Sequence, residues 1–511
     1  MKSISCSPET TFEAFIRNHE KAIITFITII ASLRVFFFSA AFPFFNNVDE
    51  PCHFDLVYRF SSGQMPKSAV ETFSREAAEI ITLYGSPEYF STPEKISKSG
   101  CPSPLWLDPY ARGSRIFKRR FESCQKLQNH EAGSFLLPYA LAGSWCKIGR
   151  LFGIGGGNLL YWIRFLNIPI FALLTCLSWY IARTFFPSDQ FQRLSLPLLI
   201  AFFPQDLFYA ITNDNLSSLF FALSFFLLLQ IYLKEKSYGY FITTGFAVGF
   251  TFLAKISNLV ILIFMALIII LKIRKLSLEK QLKKHLPRLV SLLVFATIPI
   301  GIQFIINYLA FNDLTGITEV MKYKGWTTKT FGELWNHPIF TFEGVLFFMN
   351  NIIKTFWRGE FVWHGKRMAF WCIDLFYLSS TGIFLLASFF YMFSKDKKNG
   401  EPQRFVLSMS FCVIVISILF LVFLSIRFDF GNHWFYPSRG SPYFTSGRLI
   451  SGILVPFIII YINGLKFLLF KINGRINPFI AILAILILIS CSEILLSYKV
   501  FGSAYNWYHL D

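Results

Sequence analysis

Long apolar runs separated by short polar segments dominate the chain from residue 22 onward. Many of these runs reach the roughly 20 residues that a helix needs to cross the hydrocarbon core of a bilayer. The pattern predicts about eleven spans, near residues 22–43, 160–182, 191–209, 216–233, 238–254, 258–273, 289–310, 370–394, 405–426, 447–465 and 476–496. The predicted fold class is therefore an all-α, polytopic helical membrane protein.

Charge in the short loops orients these spans, because cytoplasmic loops are enriched in Lys and Arg. When residues 1–21 are placed in the cytoplasm, the short loops on that side are all basic, near residues 183–193, 234–236, 272–288, 395–404 and 466–475. The opposite turn at 210–215 has no Lys or Arg, and the turn at 255–257 has only Lys255. We therefore expect a cytoplasmic N-terminus.

Longer connecting segments then fall on the extracytoplasmic side. The predicted organisation is a membrane module at 22–310 that includes an extracytoplasmic loop at 44–159, a loop with interfacial segments at 311–369, and C-terminal spans within 370–511. The apolar stretch 133–152 is interrupted by Pro138, and as a span it would invert the charge bias of every later loop. It is therefore predicted to be an interfacial helix.

Composition supports a membrane protein and narrows its partners. Hydrophobic residues make up 54% of the chain and charged residues only 15%, whereas soluble domains usually carry about 25% charged residues. The net charge of +18 comes from basic residues that cluster in short loops, so we expect membrane lipids and no nucleic acid as partners. The sequence has no Walker A run and no Rossmann fingerprint. If the chain is a transferase, the absence of a nucleotide-binding signature predicts a lipid-linked donor.

An acidic pair, Asp49-Glu50, follows the first span by about six residues, and His53 comes shortly after it. One carboxylate can serve as a general base while the other orients it or holds a metal. His53 lies three positions after Glu50, so the two side chains can share a helix face. The structural alternative is a hydrated helix start, because Asp and Glu are favoured in first turns and Pro51 suits the first helical position.

Polar residues also mark three later turns on the same predicted side. Asp214 lies in the turn Asn213-Asp214-Asn215 and is either a second acidic group or part of a helix N-cap. Lys255 lies between two apolar spans and either snorkels or meets an anion such as a phosphate. Arg448 opens a later span and either binds phosphate bidentately or anchors the helix at the interface.

Two further positions complete the candidate residues. His130-Glu131 closes the polar part of the first loop, and with His53 this pair can contact the acceptor or hold a divalent metal ion. The spacing requires no metal, so no cofactor is firmly predicted. Arg34 lies near the middle of the first span, where an ionisable side chain usually faces a partner or a cavity. The sequence does not identify that partner.

Four segments in order resemble the GT-C superfamily of membrane glycosyltransferases. NVDEPCHFDLVYRFSSGQMP looks like its acidic motif after the first span, and WIRFLNIPIFALLTCLSWYIARTFFP resembles its second span. FFPQDLFYAITNDNLSSLFFALSFFLLL resembles the span–Asn-Asp–span unit, and GFAVGFTFLAKISNLVILI resembles the Gly-rich span that ends in Leu-x-Lys. The match covers roughly residues 22–275, and FWRGEFVW and SGRLISGILVPF look like weaker echoes of later segments. The protein-mannosyltransferase-like and aminoarabinose-transferase-like groups are the most similar.

The resemblance implies a GT-C-like fold whose first extracytoplasmic loop carries interfacial helices over the active site. It implies transfer of a sugar from a polyprenyl-phosphate donor to a lipid, glycan or protein acceptor. By this resemblance, Asp49 matches the catalytic acid, Asp214 the second acidic position, and Lys255 a basic position near the donor phosphate. His130-Glu131 falls where relatives have His or Glu before two prolines, although Ala132-Gly133 follows here.

The expected reaction is an inverting displacement with Asp49 as general base, and Glu50 or Asp214 positioning the acceptor or the sugar. Lys255 and Arg448 would stabilise the departing phosphate. The alternative function is a transporter or flippase of a lipid-linked glycan, which would be expected to place ionisable residues near the midplane of the membrane. A membrane scaffold without chemistry is the third hypothesis. We expect a multi-pass protein of the bacterial inner membrane.

Overall fold

The computed structural model describes residues 11–46, 49–91, 102–394, 400–431, 436–472 and 477–510. Residues 1–10 of the predicted cytoplasmic N-terminus therefore lie outside the described residues. The fold class is the predicted one: an all-α protein built from long apolar helices.

The first half of the chain forms eleven helices within the described residues. They are α1 (Thr11–Ala41), α2 (Glu50–Ser61), α3 (Arg75–Tyr84), α4 (Arg115–Lys126), α5 (Leu136–Leu151), α6 (Gly156–Arg164), α7 (Asn167–Phe185), α8 (Gln190–Ala201), α9 (Asp214–Leu233), α10 (Tyr238–Ala254) and α11 (Leu259–Leu278). Helices α2 to α5 lie in the long first loop, and the later helices return to the bundle.

The second half adds seven helices to the described structure. They are α12 (Leu282–Phe311), α13 (Ile317–Tyr323), α14 (Phe342–Arg358), α15 (Trp371–Phe393), α16 (Glu401–Arg427), α17 (Leu454–Ile472) and α18 (Pro478–Phe501). Short 3-10 turns matter at three places, Asp206–Tyr209, Ile256–Asn258 and Gly447–Ile453.

Strands are confined to three antiparallel pairs of two residues each in the described loops. β1 (Glu71–Thr72) pairs with β2 (Gln128–Asn129), β3 (Thr327–Thr328) with β6 (Phe428–Asp429), and β4 (Val362–Trp363) with β5 (Lys366–Arg367). These pairs fasten loop segments to one another and form no sheet layer.

Nine helical stretches of the described chain are long and apolar enough to cross a membrane. Two of the eleven predicted spans are shorter. The span predicted at 238–254 is the 17-residue apolar helix α10. The span predicted at 191–209 ends as an α-helix at Ala201, because Pro204 has no N–H to donate and restricts the residue before it. The stretch 202–209 instead forms an irregular segment and a 3-10 turn.

The faces of these helices suit a lipid environment. Large apolar side chains remain exposed along one side of α1, at Phe26, Ile29, Leu33 and Phe37. A contiguous exposed apolar surface of this kind is rare on soluble monomers and typical of membrane contact. The opposite side of α1 is buried at Ile24, Ile27, Ala31 and Val35.

Helices α10 and α12 pack unusually closely because two glycines of α10 face α12. A Cβ atom at Gly245 would lie 2.7 Å from the carbonyl oxygen of Leu292, and one at Gly249 would lie 2.8 Å from that of Ala296. Any larger residue would force the backbones apart. The spacing Gly-x-x-x-Gly is the one that lets membrane helices approach at small residues.

Arg34 finds its partner inside the bundle. Its guanidinium donates to Glu493 of α18 at 2.8 and 2.5 Å and to the carbonyl oxygens of Ala201 and Phe203. Tyr209 adds its hydroxyl oxygen at 2.6 Å. The charge is therefore fully paired, and it ties the first helix to the end of α8 and to the last long helix.

The first loop folds back onto the end of the bundle where α1 ends. The stretch predicted as an interfacial helix, 133–152, contains α5, which packs along α2. Gly143 permits this contact, because a Cβ atom there would lie 2.9 Å from Cβ of Phe60. The N-terminus of helix α2 is thereby held beside the turn that precedes α9, where Glu50 accepts a hydrogen bond from the backbone of Ile211.

Candidate active site

Four residues that are widely separated in the sequence meet at one end of the bundle. Asp49 precedes α2, Asp214 opens α9, Lys255 follows α10, and Arg448 lies in the 3-10 turn before α17. Direct contacts join them in one chain, from Asp49 to Arg448, from Arg448 to Lys255, and from Lys255 to Asp214. The site thus combines two carboxylates with two cations.

Asp49 does not cap its helix. It has φ 59°, a left-handed conformation that few residue types adopt, and its side chain makes no hydrogen bond to the first turn of α2. The carboxylate instead accepts a hydrogen bond of 2.5 Å from the Arg448 guanidinium and lies 3.5 Å from Nε2 of His130. The backbone conformation therefore aims the carboxylate into the site.

The charges around Asp49 set its protonation. Burial alone would raise its pKa, but the Arg448 guanidinium and the His130 ring hold the pKa of that carboxyl well below its usual range. The carboxylate is therefore ionised at neutral pH. A strongly lowered pKa also weakens a carboxylate as a proton acceptor, so Asp49 becomes a better base when Arg448 is drawn away.

Asp214 and Lys255 form the second ion pair. The Asp214 side chain is almost wholly buried, and one of its oxygens accepts a hydrogen bond from the Lys255 ammonium. The same ammonium donates to the carbonyl oxygen of Arg448 at 3.2 Å. Neither Asp214 nor its neighbour Asn213 caps α9 with its side chain. The lysine therefore bridges the acidic turn and the Arg448 segment and does not snorkel to solvent.

Several buried polar atoms around this pair have no hydrogen-bond partner among the described residues. They are Oδ2 of Asp214, both side-chain polar atoms of Asn215, Oγ of Ser257 and Oγ of Ser451. Burying a polar atom without a partner costs about 1–3 kcal/mol. Such a group of atoms at the start of α9 and in the two adjoining 3-10 turns is typical of a surface that binds a polar ligand or water.

His130 and Glu131 lie on the Asp49 side of the site. Nε2 of His130 lies 4.0 Å from a Glu131 oxygen, and Glu131 accepts a 2.6 Å hydrogen bond from Ser134. Burial would raise the pKa of Glu131, but His53 and His130 lower it below its ordinary value. Asp49, His130 and Glu131 each offer one donor atom, all within 4.8 Å of one another.

This donor set suits a divalent metal ion. Donor atoms around a tetrahedral Zn²⁺ lie roughly 3.3 Å apart, given metal–ligand distances of about 2.0–2.1 Å. The separations of 3.5 and 4.0 Å would need only a small closure. A metal there would compete with Arg448 for Asp49. It would supply charge to a leaving phosphate or to an attacking oxygen.

His53 is close to this cluster but is engaged elsewhere. It is buried within α2, and its Nδ1 lies 2.8 Å from the hydroxyl of Tyr139 on α5. Burial lowers its pKa, so the ring is neutral at physiological pH. His53 therefore positions α5 against α2 and does not contribute to the group of metal-donor atoms.

Glu50 belongs to a different contact from Asp49. Its fully buried carboxylate accepts 2.7 Å hydrogen bonds from both Nε and Nη2 of Arg164, which is equally buried. It also accepts from the backbone N–H groups of Asn46 and Ile211. These four hydrogen bonds use all the acceptor capacity of the carboxylate. Glu50 therefore stabilises the attachment of the first loop to the bundle and makes no hydrogen bond with Asp214 or Lys255.

Sequence reasoning missed a pair of acidic residues near Arg448. Asp206 and Glu360 interact electrostatically, and the Asp206 carboxylate occupies the space that a Cβ atom at Gly359 would need. Burial, and then the Glu360 charge, raises the pKa of Asp206 to about 7. Glu360 accepts from Ser446 and pairs with Arg367 at 3.0 Å. The signal was present in the segment FWRGEFVW, whose glycine and glutamate lie here.

An apolar groove is lined in part by the 3-10 turn Gly447–Ile453, which also contains Arg448. Ile450, Ile453 and Phe457 line one wall, and Ile352 and Phe356 of α14 line another. Thr381 is the one polar residue in its lining. This apolar surface suits a hydrocarbon chain.

The fold and the site define a polytopic helical membrane protein with a buried charged centre at one end of its bundle. The family described as "Predicted membrane protein (DUF2142)" matches residues 33–453. That match covers most of the sequence, and the chain belongs to this family. A comparison with curated proteins found no match.

Among solved structures, the chain is similar to the Archaeoglobus fulgidus oligosaccharyltransferase. The complex of that protein with Zn and sulfate is 13% identical with a TM-score of 0.41, and the alignment covers 94% of this chain and 53% of the other. The complex of AglB with an inhibitory peptide and a dolichol-phosphate is 11% identical with a TM-score of 0.41, covering 94% and 56%. The chain thus spans about half the length of these structures.

Proposed function

We propose that this protein is a glycosyltransferase that moves a sugar from a polyprenyl-phosphate donor to a lipid, glycan or protein acceptor. The observation that carries the proposal is the contact between the two ion pairs, Asp49–Arg448 and Asp214–Lys255, at one end of the membrane bundle. Segments 399 residues apart meet there. The GT-C resemblance of the sequence assigns acid and phosphate-binding roles to these same residues.

The donor phosphate would enter by exchanging partners within the site. Without a ligand, each cation is held by a carboxylate. A phosphate monoester or diester that binds Arg448 and Lys255 would replace those carboxylates and release them. Asp49 then loses the neighbour that lowers its pKa most strongly, and it becomes a stronger base at the moment when the donor is in place.

The chemical step would be a single displacement at the anomeric carbon. The acceptor oxygen attacks that carbon, its proton passes to Asp49, and the bond from the carbon to the phosphate oxygen breaks. Polyprenyl phosphate leaves with the electron pair, and its charge is stabilised by Lys255 and Arg448. Direct attack inverts the anomeric centre. The unpartnered polar atoms of Asn215 and Ser257 would orient the sugar hydroxyls.

The lipid tail of the donor also has a place. The apolar groove beside Ile450 runs between α14 and the helices that follow it, so a polyprenyl chain could leave the phosphate site along this wall. We further propose that this end of the bundle faces the extracytoplasmic side of a bacterial inner membrane, because the predicted loops at the opposite end are basic.

A turnover assay tests the reaction. Purified protein in nanodiscs is given a panel of radiolabelled polyprenyl-phosphate sugars and an extract of envelope lipids and glycans. Wild-type protein is expected to label an acceptor, and Asp49→Asn is expected to lose about 10²–10⁴-fold in turnover, as expected for loss of a general base. Near-normal turnover in Asp49→Asn would contradict the proposal. Movement of donor across a vesicle without transfer would identify a flippase instead.

A binding assay tests the phosphate site without knowledge of the sugar. Transfer from any such donor releases a polyprenyl phosphate, and the binding of one of these, undecaprenyl phosphate, to protein in nanodiscs can be measured directly. Lys255→Gln and Arg448→Gln should each weaken binding by roughly 10- to 100-fold, since a hydrogen bond to a charged group contributes about 1.5–3 kcal/mol. Lys466→Gln removes a similar ion pair, with Asp189, elsewhere in the bundle and serves as the matched control. If all three variants bound undecaprenyl phosphate with the same affinity, Lys255 and Arg448 would not form a phosphate site.

A further inference from the structure

A second cavity lies in the folded first loop, away from the charged centre. It has a volume of about 290 Å³ and lies between α2, α3, α5 and α6. This volume is near the lower end of the roughly 300–1,000 Å³ of small-molecule sites. We propose that the cavity binds one unit of an acidic saccharide. The inference rests on the proposed function only in assigning that saccharide to the acceptor.

The lining combines aromatic faces with charged groups. Tyr58 of α2 and Tyr84 of α3 are half-buried and line the cavity, and Arg112, Arg150 and Glu79 supply its charges. Sugar rings present apolar C–H faces that stack on aromatic rings and a rim of hydroxyls that need hydrogen-bond partners. A lining of two tyrosines with three charged side chains meets both requirements.

The charge of the cavity favours an acidic sugar. Arg112 is paired with Glu79 at 2.8 Å. The Arg150 guanidinium lies 4.8 Å from the centre of the Tyr58 ring, and no carboxylate of the described residues pairs with it. The three charged side chains of the lining therefore carry one net positive charge.

Helix α2 connects the cavity to the proposed reaction centre. Tyr58 lies nine residues after Asp49, which is about 13 Å along a helix. Phe54, four residues before Tyr58 and on the same face, is fully buried and forms the inner wall of the cavity. A saccharide unit in the cavity would therefore not be the reacting one. It would hold another unit of an extended acceptor on the first loop.

Saturation-transfer NMR on the full-length protein in nanodiscs tests this site. The probes are hyaluronan disaccharide, which carries one glucuronate, and cellobiose, which is neutral. We expect saturation transfer to the acidic disaccharide and weaker transfer to cellobiose. The double variant Arg112→Gln/Arg150→Gln should lose at least tenfold in affinity. Arg119→Gln/Arg120→Gln removes the same charge from exposed positions of α4 and should keep wild-type affinity.

Several results would overturn the inference. They are absence of transfer to both probes, equal weakening by the two double variants, cellobiose binding as tightly as the acidic probe, or displacement of the probe by phosphatidylglycerol at equal concentration. Asp49→Asn separates this inference from the proposed function, because that variant should still bind the disaccharide. If the disaccharide bound in a manner that depends on Arg150 but wild-type protein transferred no sugar, the cavity would still be a saccharide site and the proposed reaction would be wrong.

Discussion

The buried pair of Glu50 and Arg164 gives the sharpest test of how the first loop is held. Replacing Glu50 with Gln keeps the size of the side chain but removes its charge, which leaves the Arg164 guanidinium buried and uncompensated. Both side chains are fully buried, and the carboxylate accepts two hydrogen bonds from Arg164 and two from backbone N–H groups. Breaking such a pair by removing one partner costs about 3–5 kcal/mol.

The free energy of unfolding in mixed detergent micelles, followed by circular dichroism during SDS titration, measures this loss. Glu122→Gln is the control, because Glu122 is exposed on α4 and its replacement should change stability by less than about 0.5 kcal/mol. Arg164→Met alone should also be costly, whereas the double variant Glu50→Gln/Arg164→Met should recover part of the loss. If Glu50→Gln and Glu122→Gln lowered the free energy of unfolding equally, Glu50 would not stabilise the first loop as described.

Further predictions concern protonation, metal binding and the intramembrane pair. Because burial raises the pKa of Asp206 to about 7, its contribution to stability is full below about pH 4 and is lost as the pH rises through 7. Asp206→Asn should flatten the fall of the melting temperature between about pH 4 and 7, and an unchanged slope would contradict the assignment. Saturating Mn²⁺ should raise the melting temperature of the wild type but not of His130→Ala. Equal increases in both proteins would show that Asp49, His130 and Glu131 do not bind the metal. Arg34→Met should lower the free energy of unfolding in SDS by about 3–5 kcal/mol, because it leaves Glu493 buried without its partner. Adding Glu493→Leu should restore much of that free energy. Additive losses in the double variant would contradict direct pairing.

The spans could be predicted from the sequence because lipid imposes one simple requirement on them. A helix in hydrocarbon must satisfy its own backbone and present apolar side chains, so hydropathy alone locates most of it. The prediction was least accurate at 191–209, where the apolar composition continues but Pro204 ends the helical hydrogen bonding. A hydropathy profile scores side-chain polarity alone, so it does not detect a missing backbone hydrogen bond.

The candidate site was predicted as separate residues, and their pairing was not. Asp49, Asp214, Lys255 and Arg448 each stand out as a polar residue at the end of an apolar segment. Their contacts depend on how distant helices pack, which periodicity within one helix does not encode. Glu50 shows the limit most clearly. Asp49 has a left-handed backbone just before the helix, whereas Glu50 is the first helical residue, so Glu50 turns toward Arg164 while Asp49 faces Arg448.

The contact between Asp49 and Arg448 also bears on biosynthesis. The two residues are made 399 positions apart, so the ribosome has produced most of the chain before the centre can close. Until α17 is inserted, Asp49 lacks the cation that neutralises it, and Lys255 lacks the Arg448 carbonyl. A nascent chain released before that point would carry the acidic loop without a phosphate site. The proposed chemistry therefore becomes possible only after α17 has entered the membrane.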